Sequence, residues 1–146
     1  MSFELELEKC EQANQLLKEL DLDAWLVWVR ETSQMADPIL ELVLGGDLVW
    51  QSALLFTKDG KRTAIVGNFD ADGIKAKKLY HRIIPYTEGI NDVLVKELHT
   101  IDPKQLGINY SLSDVSADGL TLGMYRILTD YLSTTPYLER LVSAEA

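Results

Sequence analysis

Apolar residues along this chain follow two different periods. Phe3, Leu7, Cys10, Ala13, Leu17 and Leu20 recur at intervals of three and four, with Glu, Lys and Gln filling the gaps. That spacing lines one face of a helix and predicts a first amphipathic helix over residues 4–20. Residues 23–29, DAWLVWV, are a continuous run of aliphatic, β-branched and aromatic side chains, which predicts a strand buried on both faces. Segments 51–57 and 62–67 read as two further strands. They flank Lys58-Asp59-Gly60-Lys61, whose Asp-Gly pair suits a tight turn with positive φ, so the two strands form a hairpin.

Between the first strand and the hairpin lies the stretch 30–50, RETSQMADPILELVLGGDLVW. It leaves the carboxyl end of a buried strand, where α/β proteins commonly place their contacts. Asp37-Pro38 has the form of a helix start: the carboxylate can accept from the first unpaired amides, and proline fits the first helical position. Ile39, Leu40, Val43 and Leu44 follow, and Gly45-Gly46 can take positive φ past a helix end, which predicts a short helix over 38–44.

Residues 68–73, NFDADG, alternate oxygen-bearing side chains and carry glycine at the sixth place, as calcium loops do. The pattern fails at its ends, because Asn68 holds the first position and Leu79 the twelfth, where a bidentate Glu must complete the coordination sphere. A short helix reaching residue 79 is expected instead. Asp70 or Asp72 would cap it, and Lys75, Lys77 and Lys78 lie toward its negative end. Residues 81–86 read as a strand that Pro85 places at an edge or terminates, since proline cannot donate to a ladder. A helix over 90–99 follows, with Val93, Leu94 and Leu98 on one side, and Asp102-Pro103 ends it. Residues 105–110 are a short strand. Leu120, Met124, Ile127, Leu128 and Tyr131 mark an amphipathic helix begun near Asp118, and 139–143 can form a last strand or the start of a connection to a further segment. The order predicts a single α/β domain over residues 1–146: a three-layer mixed sheet with helices on both faces.

Composition narrows the partners. The 146 residues are enough for one sizeable core. Fourteen basic against twenty-three acidic residues give a net charge of −9, which repels phosphate backbones and anionic lipid, so neither nucleic acid nor membrane is an expected partner. The single cysteine, Cys10, rules out an internal disulfide and points to a reducing cytoplasm; its place on the core side of the first helix makes it a small hydrophobe. The start MSFELELEKC lacks the basic and apolar regions of a signal peptide, and no run of 18 apolar residues occurs.

Candidate chemistry is sparse. His81 and His99 fall on separate elements with no cysteine or carboxylate at ligand spacing, so no zinc site is expected. Gly45-Gly46 is followed by Asp47 and lacks the lysine of a phosphate loop. No G-x-S-x-G elbow occurs, and Ser33, Ser52, Ser111 and Ser113 have no local nucleophile signature. What remains is Glu31, Asp37 and Asp47 near one end of the sheet, with Arg30 beside them. Such carboxylates could do acid/base work or hold magnesium, and Glu31 with Asp47 is the pair for that alternative. The competing roles are a helix cap for Asp37, an ion pair for Arg30 with Glu31, and a buried strand start for Trp50. The structural and interface roles are favoured, so Arg30, Glu31, Asp37, Asp47 and Trp50 are taken as rim or partner-facing candidates, with no catalytic and no metal-ligating residue.

The order of elements, with Asp23-Ala24-Trp25-Leu26-Val27 after an amphipathic helix and Ser52-Ala53-Leu54-Leu55-Phe56-Thr57-Lys58-Asp59-Gly60 before another strand, resembles the N-terminal domain of the creatinase, prolidase and Xaa-Pro aminopeptidase metallopeptidases. Gly107-Ile108-Asn109 and the closing Arg140-Leu141-Val142-Ser143-Ala144-Glu145 extend the resemblance over essentially the whole chain. One departure is that prolidase-like members place Asn-x-x-Tyr-Leu-x-Gly after the first strand, where this chain has Arg30-Glu31-Thr32-Ser33. The resemblance implies a ribonuclease H-like domain that is non-catalytic, followed in a parent enzyme by a pita-bread domain absent from residues 1–146. That missing C-terminal domain would carry the divalent metal (Mn, Co or Zn) on Asp, His and Glu ligands, while this chain carries no cofactor. The resemblance also implies a homodimer of the full-length protein, with the loop after the first strand lending residues to the rim of a neighbouring subunit's active site. A free-standing interaction module that dimerises through exposed apolar surface is the alternative from another class.

Overall fold

The computed structural model describes residues 3–30, 39–45, 48, 50–113 and 118–144. Helix α1 spans Glu4–Glu19 and strand β1 Ala24–Val29. A single helical turn, α2, covers Leu40–Val43. Strands β2 (Ser52–Thr57) and β3 (Arg62–Gly67) form the hairpin, and α3 covers Asn68–Lys77. Then come β4 (Arg82–Tyr86), α4 (Asn91–Ile101), β5 (Leu106–Ile108) and α5 (Leu122–Tyr131), and a 3-10 turn over Pro136–Arg140 leads into β6 (Leu141–Ser143).

The sheet order is β4-β3-β2-β1-β5-β6. β2 is antiparallel to both of its neighbours and every other pairing is parallel, so β2 alone runs against the rest. Alternate residues of the central strands face two separate cores, as the period of two along a strand requires. Val27, Val29, Leu54, Phe56, Ala64 and Val66 pack under α1, α2 and α3. Leu26, Trp28, Ala53, Leu55, Ile65 and Ile108 pack under α4, α5 and Tyr137. This is the expected three-layer mixed sheet, and the two-sided burial explains why 24–29 reads as an unbroken apolar run.

Element boundaries are set by local hydrogen bonds and backbone turns that apolar periodicity does not record. α1 stops at Glu19: Asp21 takes φ +53, its amide donates to Lys18 O, and the Leu22 amide reaches back to Leu17 O at 2.9 Å. This Schellman closure turns Leu20 outward, 50% exposed, although the spacing placed it on the core face. Gly45 takes φ +71 after α2, as expected, while the Asp37-Pro38 start lies outside the described residues. Neither Asp70 nor Asp72 caps α3. The helix begins two residues earlier, at Asn68, with Gly67 as a cap that offers no side-chain bond, and Asp70 sits in the first turn, where its charge suits the positive end. α3 also ends at Lys77, short of residue 79, because Lys78 turns left-handed at φ +57. α5 begins at Leu122 rather than near Asp118, because Thr121 Oγ1 accepts from the Met124 amide at 3.2 Å, whereas Asp118 accepts from the Ser111 amide. β5 is shorter than 105–110, since the Tyr110 amide turns back to Ile108 O. β4 is an edge strand, as Pro85 indicated. Among the described residues no helix is long and apolar enough to cross a membrane.

Candidate functional site

Because β2 alone is reversed, the exits of β1, β3, β4, β5 and β6 and the entrance of β2 all meet at one end of the sheet. Arg30, just after Val29, and Trp50, two residues before Ser52, both lie at that end, where Val29 pairs with Ser52. Glu31, Asp37 and Asp47, the other three rim candidates, lie outside the described residues.

Trp50 is not buried at the strand start: its side chain remains 37% exposed. It is nonetheless firmly placed. A Cβ added at Gly67 would fall 2.2 Å from Trp50 Cε3, so the indole lies directly on glycine backbone. The Tyr86 ring packs beside it at 5.9 Å, and the Trp50 amide approaches Asp70 Oδ2 at 3.5 Å. Tyr86 donates to Gln51 O, and burial pushes its hydroxyl up to about 12, so this tyrosine is a neutral fixture of the rim. Arg30 is exposed and makes no ion pair with a described residue; its guanidinium lies 3.4 Å from the position of a Cβ at Gly123, in the first turn of α5.

Exposed apolar groups gather at the same end. Phe69, in the first turn of α3, is 76% exposed, and Leu112, just beyond β5, is 98% exposed. Tyr110, Leu122 and Tyr125 join them. With Trp50 these make six of the large exposed hydrophobics, all on segments that enter or leave the carboxyl end of the sheet. Sequence periodicity missed this set, although a signal existed for two members: Leu122 and Tyr125 fall off the stripe formed by Met124, Ile127, Leu128 and Tyr131.

The opposite end carries a broad polar groove between the hairpin turn and the segment after α4. Its carboxylates are each paired with a cation. Lys58 Nζ lies 2.9 Å from both Asp21 Oδ1 and Asp23 Oδ1, Arg82 grips the buried Glu97 at 2.8 and 3.0 Å, and Arg140 holds Asp102 at 3.0 Å. The Lys58 ammonium, with help from the Lys104 and Gln105 amides, holds the Asp23 carboxyl below its ordinary value. Arg140 and the Tyr137 hydroxyl do the same for Asp102. Carboxylates so engaged tie segments together.

The remaining sequence candidates do not converge. His81 Nδ1 accepts from the Arg62 amide, and His99 Nδ1 meets the Tyr137 hydroxyl at 3.2 Å on another part of the molecule. Ser52 is buried and donates to Trp50 O, Ser111 accepts from the Ser113 amide, and Ser33 lies outside the described residues. Cys10 is buried, donates to Val43 O, and has its thiol pushed up to about 11 by burial, so it is held as the thiol. Among the described residues no three of His, Cys, Asp and Glu come together as a metal site.

No family model matches this sequence, and no curated protein matches it. Solved structures do match in fold. The X-Pro aminopeptidase of Thermotoga maritima MSB8 superimposes with a TM-score of 0.68 at 17% identity, over 93% of this chain and 33% of that one. The N-terminal domain of the Xaa-Pro dipeptidase from Lactobacillus brevis matches with a TM-score of 0.61 at 15% identity, over 84% of this chain and 87% of that domain. The creatinase/prolidase N-terminal domain of an X-Pro dipeptidase from Streptococcus pyogenes gives 0.62 at 13% identity, over 90% and 97%. The chain therefore has the fold of creatinase/prolidase N-terminal domains, and it spans about a third of the length of the aminopeptidase it matches.

Proposed function

We propose that this chain is a non-catalytic domain of the N-terminal kind found in Xaa-Pro peptidases, shaping substrate access and dimer contacts through the carboxyl end of its sheet. The observation that supports this most directly is that large exposed apolar side chains fall on segments that enter or leave the end of the sheet where Arg30 and Trp50 lie. Exposed apolar side chains collected at one end of a domain suit contact with a partner. The last described residues, Ser143 and Ala144, emerge at the same end, and Ser143 donates to Tyr110 O. In this reading Arg30, Glu31, Asp37, Asp47 and Trp50 face a partner, and the divalent ion of the parent enzyme (Mn, Co or Zn) sits on a separate catalytic domain. The protein works in the cytoplasm, in keeping with a single cysteine held as the thiol.

The same crowded rim also favours a second reading, a free-standing module that dimerises through it. Two measurements separate the possibilities. Residues 1–146 supplied with manganese or cobalt are expected to leave Xaa-Pro dipeptides uncleaved; turnover would overturn the non-catalytic assignment. Sedimentation of the chain at rising concentration, beside Leu112→Asp and Tyr125→Asp, tests the rim. Self-association that both substitutions weaken supports the free-standing module. A chain monomeric throughout supports a rim reserved for a separate domain. Self-association that both substitutions leave intact would sink the rim as the contact surface.

A further inference from the structure

We draw no further inference here: the strongest candidate, the exposed Arg30 guanidinium beside Gly123 at the amino terminus of α5, carries nothing because no second feature of that helix end points to a ligand.

Discussion

Two residues show how a single atom decides local structure in this molecule. Gly67 has ordinary φ and ψ, −63° and 152°, so its glycine is required by space and not by backbone conformation. The Trp50 ring occupies the volume where any side chain would begin. Gly67→Ala should therefore expel the indole, cost about 1–3 kcal/mol, and shift Trp50 fluorescence to the red. In the Gly67→Ala/Trp50→Ala double variant the loss should fall short of the sum of the two single losses; strict additivity would show that the contact is unimportant. Asn14 is the second case. It stands on the buried side of α1 among apolar neighbours, 6% exposed, with its amide donating to Thr57 O at 2.8 Å and Lys61 O at 3.2 Å. Its oxygen accepts from Arg62 Nη1 at 3.0 Å, while Arg62 Nε donates to Leu79 O. The guanidinium is thus almost fully buried on neutral acceptors, with no carboxylate among the described residues in salt-bridge range. Asn14→Ala removes three hydrogen bonds from a buried site, and a loss of about 2–4 kcal/mol in urea unfolding at unchanged m is expected.

At the scale of elements, apolar periodicity together with turn and cap residues marked the main helices and strands but not the 3-10 turn, and side-chain caps start only α5 and that turn among the described helices. Thr121 starts α5 by accepting from the Met124 amide, and Thr135 starts the 3-10 turn by accepting from the Tyr137 amide. Threonine to alanine at such a cap typically costs about 1 kcal/mol. Thr121→Ala should therefore speed amide exchange through the first turn of α5 while leaving α4 protected, which hydrogen exchange read residue by residue will show. Equal acceleration in both helices would mean that the cap acts on global stability alone. The positive φ values at Asp21, Lys78 and Asp102 belong to the same level. Each ends a helix without glycine, which is why the ends of α1 and α3 are weakly marked in the sequence, whereas Gly45 announces the end of α2, Asp102-Pro103 the end of α4 and Gly60 the hairpin turn.

Across the whole molecule, Asp23 joins three segments distant in sequence: the turn into β1, the hairpin at Lys58, and the amides of Lys104 and Gln105. Its folded pKa is depressed, chiefly by the hydrogen bond from Lys58, against an unfolded value of about 3.9. The folded state then binds the proton less readily than the unfolded one. The stabilisation is present above about pH 4 and is lost as the pH falls through the depressed native value. Asp102 acts in the same direction through Arg140 and Tyr137. Asp23→Asn should flatten the dependence of stability on pH below about 4; an unchanged slope in acid denaturation would assign the effect to other carboxylates. All these ion pairs lie at the polar end of the sheet, and the apolar rim lies at the other, a segregation that follows from the strand directions.

The sequence alone determined the layered fold, because burial on both faces of 23–29, the Asp-Gly hairpin and the helical stripes are short-range consequences of hydrophobicity and turn chemistry. It also picked out Arg30 and Trp50, since both flank recognisable strands. The hairpin already implied that β2 runs against β3; only the tertiary structure decided that β1, β4, β5 and β6 also run against β2 and that this brings Phe69, Tyr110, Leu112, Leu122 and Tyr125 to the same end as Trp50. Those residues lie on segments far apart in the chain, and nothing local encodes their meeting. The burial of Arg62 on Asn14 is of the same kind: the two are brought together by α1 crossing the sheet, and a polar residue on an apolar helical face gives no sign of which partner will satisfy it.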